Sequence, residues 1–453
     1  MTLIISLYLY LFWSTLFVHC VEACPDSGTI ARNLVFDAGS TGTRPFLVVV
    51  ERDSPDMKLK TFTKYTKSNL ALSSITKATQ FPQLRNTLQK SIYEALADTV
   101  NVPVTCRDQT GIILLATAGL RAISEALSKS ILKEVENLFI KTKLKKLKPS
   151  ASILSGFDEG LYFWISVNFL EQNFAKCEIA ETRGIFEMGG GSVQIVAALS
   201  GEKASQIQEV TGHQVPLKRV LGRDYYIYSH SYLDGGIQAA RIKYFFDNSK
   251  GFCIKNGQQI NYSFNNVTDK ILTGISIQDD TRVFACSAIS KSLVSSLNVK
   301  GFNGLLDDVS FIGGSIFYYN AHSIYALENN CDQVGKPACS INEHQVKLSE
   351  LKNYAKKYCS DAYLPADLQE PVNSVYICQD TTFIVSLLES GWQFPERDFS
   401  YTARLEIHDK ELSWVLGAGL QLGFNGLNIA SRITINSFNL LLLMAVPLII
   451  SYW

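Results

Sequence analysis

The chain has 453 residues, which is long enough for two domains of ordinary size. Hydrophobic residues make up 47% of the chain and charged residues 19%, a composition that excludes extended disorder and allows a large buried core. Lys plus Arg and Asp plus Glu both number 42, so the formal net charge is zero, and we expect no nucleic-acid partner.

An almost unbroken apolar stretch from Leu3 to Val18 opens the chain. We interpret residues 1–22 as a signal peptide or signal anchor, although no Lys or Arg precedes the apolar stretch. Ten cysteines and two glycosylation sequons, at Asn261 and Asn266, agree with an oxidising compartment. The sequence therefore predicts entry into the secretory pathway.

The cysteines show neither a CxxC pair nor a Cys/His cluster with zinc spacing, so we interpret them as disulfides. The sequence alone leaves their connectivity open. Sensible local pairs are Cys253 with Cys286, Cys331 with Cys339, and Cys359 with Cys378.

A first strand–turn–strand unit lies near the start of the mature chain. Leu34 to Phe36 is predicted as a buried strand, Asp37-Ala-Gly-Ser-Thr-Gly-Thr43 as the turn, and Phe46 to Val50 as the second strand. Glycines allow such a turn to lie close to a ligand, and successive backbone N–H groups there can form an anion-binding nest.

The next segment alternates strands and helices. Gly111 to Leu115 is predicted as a strand that leads into Ala116-Thr-Ala-Gly119. Helical spacing of apolar residues follows from Leu120 to about Lys141, and a second helix is predicted over Asp158 to Leu170. This alternation indicates an α/β architecture.

The strand–turn–strand pattern returns about 150 residues after the first. Gly184 to Phe186 and Val193 to Leu199 are the predicted strands, and Glu187-Met-Gly-Gly-Gly-Ser192 is the turn. Taken alone, either glycine-rich hairpin is more often a plain tight turn than a binding site. Together, their matching acids and hydroxyls favour a phosphate site with a divalent metal held between two carboxylates, and Arg44 and Arg121 could add positive charge.

The last apolar segment, Leu440 to Trp453, is followed by no charged residue. We interpret residues 433–453 as a C-terminal hydrophobic anchor or a glycolipid-anchor signal, and a transmembrane helix over the same residues remains an alternative. Membrane attachment is expected in either case.

The sequence resembles the apyrase, or ecto-nucleoside triphosphate diphosphohydrolase, family within the actin/heat-shock-ATPase superfamily. Five segments match the motifs of that family in the same order. They are Val35-Phe-Asp-Ala-Gly-Ser-Thr-Gly-Thr-Arg44, Ala116-Thr-Ala-Gly-Leu-Arg121, Gly156-Phe-Asp-Glu-Gly-Leu-Tyr-Phe-Trp164, Gly189-Gly-Gly-Ser-Val-Gln194 and Trp414-Val-Leu-Gly417.

The resemblance implies an α/β fold of two ribonuclease-H-like lobes with an active-site cleft between them. Lobe I would comprise residues 33–155 and 404–432, and lobe II residues 156–403. The implied reaction is hydrolysis of nucleoside tri- and/or diphosphates to the monophosphate and phosphate, by metal-assisted attack of an activated water.

The resemblance also implies roles for individual residues. Glu159 would deprotonate the water, which Ser192 and Gln194 would position. Asp37 and Glu187 would hold hydrated Ca²⁺ or Mg²⁺, and Tyr318 or Tyr319 would stack on the base. The expected nucleotide- and phosphate-binding residues are Gly39, Ser40, Thr41, Gly42, Thr43, Arg44, Thr117, Arg121, Gly189, Gly190, Gly191 and Ser192.

One departure from the family pattern keeps an alternative open. The family has Asp where this chain has Glu187, and the extra methylene moves the carboxylate by about 1 Å. The alternative is a non-catalytic nucleotide-binding surface protein with an impaired metal site. The expected location is the extracellular face of the plasma membrane or the medium, or else the Golgi or endoplasmic reticulum lumen, and the oligomeric state is left open.

Overall fold

The computed structural model describes residues 24, 26–53, 56–175, 181–247, 251–264, 267–329, 341–361 and 374–427. Several sequence predictions lie outside these residues. They are the signal segment 1–22, the C-terminal segment 433–453, the sequon at Asn266 and the Cys331–Cys339 pair.

The first sheet has five strands in the order β3-β2-β1-β4-β5. Strand β2 is antiparallel to both β1 and β3, whereas β1, β4 and β5 run parallel. The strands are β1 (Ile30–Gly39), β2 (Gly42–Asp53), β3 (Asp56–Lys64), β4 (Gly111–Ala116) and β5 (Lys145–Ile153).

Three helices of this part of the chain are α1 (Phe81–Ala97), α2 (Ala118–Arg121) and α3 (Glu125–Ile140). Alternate side chains of β1 enter two different cores: Leu34 and Phe36 pack in a cluster with α1 and α3, and Val35 faces the seam between the sheets. The prediction of a single helix from Leu120 to Lys141 is wrong. The chain forms two helices there, α2 and α3, and Ser124, whose backbone is extended, precedes the first residue of α3.

The second sheet has seven strands in the order β13-β14-β12-β6-β7-β9-β8. Its inner strands β9-β7-β6-β12-β14 repeat the first sheet in both order and direction. The elements that build this sheet or precede it are α4 (Gly156–Leu170), β6 (Gly184–Met188), β7 (Ser192–Leu199), α5 (Gly201–Thr211), β8 (Leu217–Val220), β9 (Arg223–Leu233) and α6 (Ile237–Asp247).

The remaining elements complete this sheet and its helical cover. They are β10 (Gln259–Phe264), β11 (Val267–Thr273), α7 (Asp279–Ser296), β12 (Phe311–Ser315), α8 (Ile316–Glu328), β13 (Glu343–Lys347), α9 (Leu348–Cys359), α10 (Ile377–Ser386), β14 (Ser400–Arg404), β15 (Glu406–Ile407), β16 (Lys410–Glu411) and a helix over residues 414–427, here α11. Two mixed sheets with helices confirm the predicted α/β class.

Helices α4 and α11 fill the seam between the sheets. Gly160 of α4 packs on β7, where a Cβ would lie 2.8 Å from Val196. On α11, Gly419 packs on Val48 of β2, and Gly417 lies against the backbone of Tyr162 in α4. These glycines therefore let the two helices and the two sheets approach closely. As a result, the two glycine-rich turns lie next to each other.

Three disulfides occur among the described residues. Cys253–Cys286 and Cys359–Cys378 confirm two predicted pairs, and Cys24–Cys106 was not predicted. All three fit the oxidising environment of the secretory pathway. In the described part of the chain, no helix has the length and apolar character needed to span a bilayer.

Candidate active site

A cavity of about 430 Å³ lies between the two sheets and is lined by residues from both. Most of the residues that the sequence singles out meet there. The predicted site residues that line it are Asp37, Gly39, Ser40, Thr41, Arg44, Thr117, Glu159, Glu187, Gly189, Gly190, Gly191, Ser192 and Tyr319.

The two glycine-rich turns face one another across this cavity. A Cβ added at Gly190 would lie 2.6 Å from the Ser40 hydroxyl, and one at Gly191 would lie 2.8 Å from the Ala118 methyl group. In the first turn, Gly42 has a φ of +146° and lies against the Ser68 carbonyl. That backbone conformation and the lack of space both require glycine at position 42.

Glu159 lies in the first turn of α4, with its side chain directed to the cavity and only 6% of its surface exposed. Its Oε2 atom accepts a hydrogen bond from Arg121 Nη2 at 2.8 Å. Arg121 also donates to the Leu154 carbonyl at 2.9 Å, which fixes the guanidinium behind the carboxylate. Helix α4 starts here because the Ser155 hydroxyl accepts from the Asp158 amide at 3.0 Å.

The hydroxyl of Ser192 joins this network from β7. It accepts hydrogen bonds from Arg121 at 3.1 Å and from Gln194 Nε2 at 2.9 Å. With both lone pairs engaged, the hydroxyl hydrogen of Ser192 is left to donate to another group. Gln194 also donates to Ser231 at 3.0 Å, and its buried Oε1 has no hydrogen-bond partner among the described residues.

Burial and charge oppose each other at Glu159. Burial raises the pKa of this carboxyl group above its ordinary value, and the Arg121 guanidinium counteracts that rise. A buried carboxylate that remains ionisable beside a fixed cation is suited to accept a proton.

Asp37 and Glu187 lie at the ends of equivalent strands, β1 and β6. Asp37 Oδ2 accepts from Arg44 at 3.1 Å, and burial raises the pKa of Asp37 against the opposing effect of Arg44. Glu187 Oε1 accepts from Ser315 at 3.0 Å, and its buried Oε2 has no partner among the described residues. Burial, and next the charge of Glu159, raise the pKa of Glu187 to about 8.

This acidic environment fits a divalent cation. The charge of Asp37 adds to the rise in the pKa of Glu159, and the charges of Glu159 and Asp37 add to the rise in the pKa of Glu187; a cation would favour the charged forms of these acids. Their oxygens do not form a group within 4.8 Å of one another, since both such groups among the described residues contain disulfide cysteines. The carboxylates of Asp37 and Glu187 offer hard oxygen ligands of the kind that Ca²⁺ and Mg²⁺ prefer.

Five predicted residues do not line the cavity, namely Gly42, Thr43, Arg121, Gln194 and Tyr318. The Thr43 hydroxyl donates instead to the Leu70 carbonyl at 3.1 Å. Tyr318 is 4% exposed and donates to the Ile341 carbonyl at 2.7 Å, whereas its neighbour Tyr319 is 51% exposed and borders the cavity. Of the two tyrosines, Tyr319 is the one available to a ligand there.

The sequence did not point to several other cavity residues. Lys67 lines the cavity and forms no ion pair with a carboxylate of the described residues, while Lys64 pairs with Glu411 at 2.6 Å. Burial lowers the pKa of Lys67, and the charges of Arg44 and Lys64 lower it further. A β-bridge between Thr43 and Ser68 brings Lys67 to the first turn, and no local motif signals that contact.

A second residue that the sequence did not indicate is Ser315. It has a φ of +54° and a ψ of −122°, a strained conformation for a residue other than glycine, and it donates the hydrogen bond to Glu187. Its only local signal is its position between the second glycine of β12 and the start of α8.

A model of the GDA1/CD39 (nucleoside phosphatase) family matches residues 29–435. The chain belongs to this family. The predicted apyrase-type family and the predicted nucleoside phosphatase activity are thereby confirmed, and membership implies a divalent-cation-dependent phosphatase.

Relatives of this GDA1/CD39 chain align over most of its length. It is 26% identical to "Probable apyrase 1" of Oryza sativa subsp. japonica over 420 residues, which cover 87% of the chain and 82% of the relative. It is 25% identical to "Nucleoside diphosphate phosphatase ENTPD5" of Homo sapiens over 445 residues, 90% of the chain and 97% of the relative. The crystal structure of nucleoside triphosphate hydrolases from Neospora caninum has the same fold, with a TM-score of 0.57 at 16% identity, covering 89% of this chain and 95% of that one.

Proposed function

We propose that this chain hydrolyses nucleoside tri- and/or diphosphates to the monophosphate and inorganic phosphate. The arrangement of Arg121, Glu159 and Ser192 beside two facing glycine-rich turns is the observation that carries the proposal. The names of the rice and human relatives, an apyrase and a nucleoside diphosphate phosphatase, support both substrate classes.

The reaction needs positioning and charge neutralisation more than a covalent nucleophile. The terminal phosphate is bound by backbone N–H groups of both turns and by the hydroxyls of Ser40, Thr41 and Thr117, with Arg44 adding positive charge. Water attacks its phosphorus in line with the bridging oxygen, and the bond from phosphorus to that oxygen breaks. Glu159 takes the proton of the water, and the shortened nucleotide leaves with the electrons of the broken bond.

Ser192 and Gln194 position the attacking water. The free hydroxyl hydrogen of Ser192 and the unpaired Oε1 of Gln194 support this role, since both are left over after the hydrogen bonds within the protein are made. Gln194 acts from behind the cavity wall, so its effect on the water is exerted chiefly through Ser192.

Asp37 and Glu187 would hold the divalent cation, Ca²⁺ or Mg²⁺. The cation would neutralise charge on the phosphate oxygens. Glu187 suits this role despite its extra methylene because Ser315 binds one of its oxygens and leaves the other unpaired. Tyr319 stacks on the nucleobase, which its 51% exposure at the cavity edge supports.

We further propose that the two sheets are the cores of ribonuclease-H-like lobes, residues 33–155 with 404–432 and residues 156–403, and that the cavity is the cleft between them. The repeated strand order of the two sheets supports this division. The enzyme acts in the secretory pathway, at the plasma-membrane surface, in the medium, or in the Golgi or endoplasmic reticulum lumen.

The test is phosphate release by the purified full chain from ATP, ADP, GDP and UDP, with Ca²⁺, with Mg²⁺ and with chelator. Metal-dependent release that disappears in Glu159→Gln supports the proposal, and the substrate ranking separates an apyrase from a diphosphatase. Absence of release from a folded protein that binds nucleotide would refute it.

The second candidate is a nucleotide-binding protein without turnover. It is favoured by Glu187 in place of the family's Asp, since the extra methylene moves the carboxylate by about 1 Å. Glu187→Asp distinguishes the two functions, because release that appears only in this variant identifies an impaired metal site.

A further inference from the structure

Two histidines meet at one end of the second sheet, outside the candidate catalytic cavity. His322 lies in α8 and His344 in β13, which is the edge strand of that sheet. Their nearest ring nitrogens, Nδ1 of His322 and Nε2 of His344, are 3.2 Å apart. The ring centroids are 5.4 Å apart, so the two rings approach one another through edges that carry nitrogen. We call these two residues the histidine pair.

The separation of the two nitrogens is close to that of two ligands on one metal ion. Zinc–nitrogen bonds are about 2.0–2.1 Å long, and tetrahedral geometry then places two imidazole nitrogens about 3.3 Å from each other. The observed 3.2 Å also allows a hydrogen bond between two neutral rings, in which one nitrogen donates and the other accepts. A hydrogen bond and a shared ion are therefore alternatives at the same place.

Both rings of the histidine pair are held by aromatic neighbours. The Tyr318 ring stacks on His322 with centroids 5.4 Å apart, and its centroid lies 5.7 Å from that of His344. The Tyr325 ring lies 5.0 Å from His344 on the same measure. Burial lowers the pKa of both imidazoles, that of His344 to about 4, so the rings are neutral at pH 7. A helix and a strand thus present two neutral imidazoles, the form that binds metal, in fixed positions.

A small cavity beside the histidine pair gives an ion access and room for water. It has a volume of about 130 Å³, and His344 lines it together with Tyr325, Glu328 and Glu350. A water molecule takes about 30 Å³ of liquid volume, so the cavity can hold several. No third His, Cys, Asp or Glu of the described chain has a ligand atom within 4.8 Å of both nitrogens. Water would therefore complete the coordination of an ion held by the two histidines.

A second pair of histidines provides the contrast. His213 and His230 stack face to face, with centroids 3.6 Å apart and ring planes inclined by 3°. The lone pair of an imidazole nitrogen lies in the plane of its ring, so the nitrogens of parallel stacked rings do not point at a common ion. His213 Nδ1 also contacts the Tyr228 hydroxyl at 3.0 Å. This pair is not arranged to share an ion and serves as a matched control.

We propose that His322 and His344 form a binding site for one divalent transition-metal ion such as Zn²⁺, separate from the Ca²⁺ or Mg²⁺ site. Imidazole nitrogen suits Zn²⁺, whereas Ca²⁺ and Mg²⁺ prefer oxygen ligands. The bound ion joins α8 to β13 and thereby fixes the helix that carries Tyr319, about one turn before His322. The site does not depend on the proposed hydrolysis, since neither histidine lines the catalytic cavity.

The test is calorimetric titration of the purified full chain with Zn²⁺ in a large excess of Mg²⁺, which competes for oxygen ligands. One Zn²⁺ per chain is expected to bind. His322→Gln and His344→Gln should each weaken binding by about a hundredfold or more, because loss of a supporting group alone already costs about tenfold to hundredfold. His213→Gln should bind Zn²⁺ as the unmodified chain does.

A second measurement does not depend on the variants folding. X-ray absorption at the zinc edge of the equimolar complex should show two imidazole nitrogens at about 2.0–2.1 Å from the ion. Absence of Zn²⁺ binding, unchanged binding in His322→Gln and His344→Gln, or equal weakening in His213→Gln would each overturn the proposal. A zinc spectrum without two imidazole ligands would overturn it as well, and the histidine pair would then be a hydrogen bond alone.

Discussion

The guanidinium of Arg121 lies 2.8 Å from the carboxylate of Glu159, and the same group reaches the Ser192 hydroxyl at 3.1 Å. One cation thus joins α2, α4 and β7, which are distant in sequence. It holds the proposed base in place and opposes the rise in pKa that burial causes. Both the position and the pKa of Glu159, the proposed base, therefore depend on its contact with Arg121.

Replacing Arg121 should move the pH dependence of hydrolysis. The Arg121→Gln variant lacks the guanidinium that lowers the pKa of Glu159. The pKa of Glu159 should therefore rise further, and the carboxyl group should be ionised only at higher pH. The acid limb of the kcat/KM profile should shift upwards by about 1 to 3 pH units. Arg85→Gln, which removes a cation paired with Glu134, should leave the profile in place; a profile equally unmoved in Arg121→Gln would contradict the assignment.

Removing the base should abolish most of the turnover and preserve binding. Glu159→Gln keeps the shape of the side chain but cannot accept the proton, and phosphate release should fall about a hundredfold to ten-thousandfold. Nucleotide affinity, measured by calorimetry, should change little. Asp158→Asn alters the adjacent residue, whose carboxylate accepts from the Ser155 hydroxyl that caps α4, and it should stay close to the wild-type rate. Similar losses in both variants would point to damage of the helix.

The metal-free protein should lose stability as the pH rises. The folded state keeps a proton on Glu187 up to about pH 8, whereas the unfolded state releases it near its ordinary pKa of 4.5. The free energy of unfolding therefore falls between those values, by about 1.4 kcal/mol per pKa unit at most. Thermal unfolding in chelator should show this slope, and Ca²⁺ or Mg²⁺ should raise Tm more at about pH 8 than at about pH 5.

Glu187→Gln is the control for that experiment. Without a titrating group at this position, the slope between about pH 5 and about pH 8 should be much smaller. A slope that is the same in the variant would assign the effect to another group.

Lys67 should contribute to substrate binding. Its ammonium group forms no ion pair with a described carboxylate, and a hydrogen bond from it to a phosphate would be charge-assisted. Lys67→Gln should raise KM by about tenfold, which corresponds to about 1.4 kcal/mol, with a smaller change in kcat. Lys60→Gln, which removes a lysine of β3 that pairs with Glu51, should leave KM unchanged. An unchanged KM in Lys67→Gln would show that this residue does not contact the substrate.

The close approach of the two turns should be sensitive to one added methyl group. In Gly190→Ala the new Cβ would meet the Ser40 hydroxyl at 2.6 Å and push the turns apart. A displacement of about 1 Å can cost about a hundredfold in kcat/KM. At Gly189 the nearest atom is the Ser192 carbonyl at 3.9 Å, so Gly189→Ala should lose much less. Equal losses in steady-state kinetics would contradict the steric argument.

The parts of the fold that could be predicted depend on local sequence. Each glycine-rich turn is flanked by its own strands, so Asp37 and Glu187 could be assigned to equivalent hairpins from periodicity and turn residues alone. The disulfides of short sequence separation, Cys253–Cys286 and Cys359–Cys378, could be suggested as local pairs, although the sequence left the connectivity open. Cys24 and Cys106 are 82 residues apart, and only the packing of the first sheet brings them together.

The choice between Tyr318 and Tyr319 shows why other site residues could not be predicted. Adjacent residues of a helix point about 100° apart, so the answer depends on the orientation of α8, which sequence spacing does not provide. Lys67 depends likewise on a single bridge between Thr43 and Ser68. The strain at Ser315 follows from the start of α8 directly after β12, a join that has no sequence motif.

The shared strand order of the two sheets has a consequence for ancestry. One unit of five strands supplies only half of the proposed phosphate site: one acid and one glycine-rich turn. Two identical copies of an ancestral unit, paired as a homodimer, would have presented the same half twice and enclosed an anion symmetrically. Glu159 and Arg121, each contributed once, are departures from that symmetry. Hydrolysis would then be the later acquisition, added by a fused and diverged pair to an older capacity to bind phosphate.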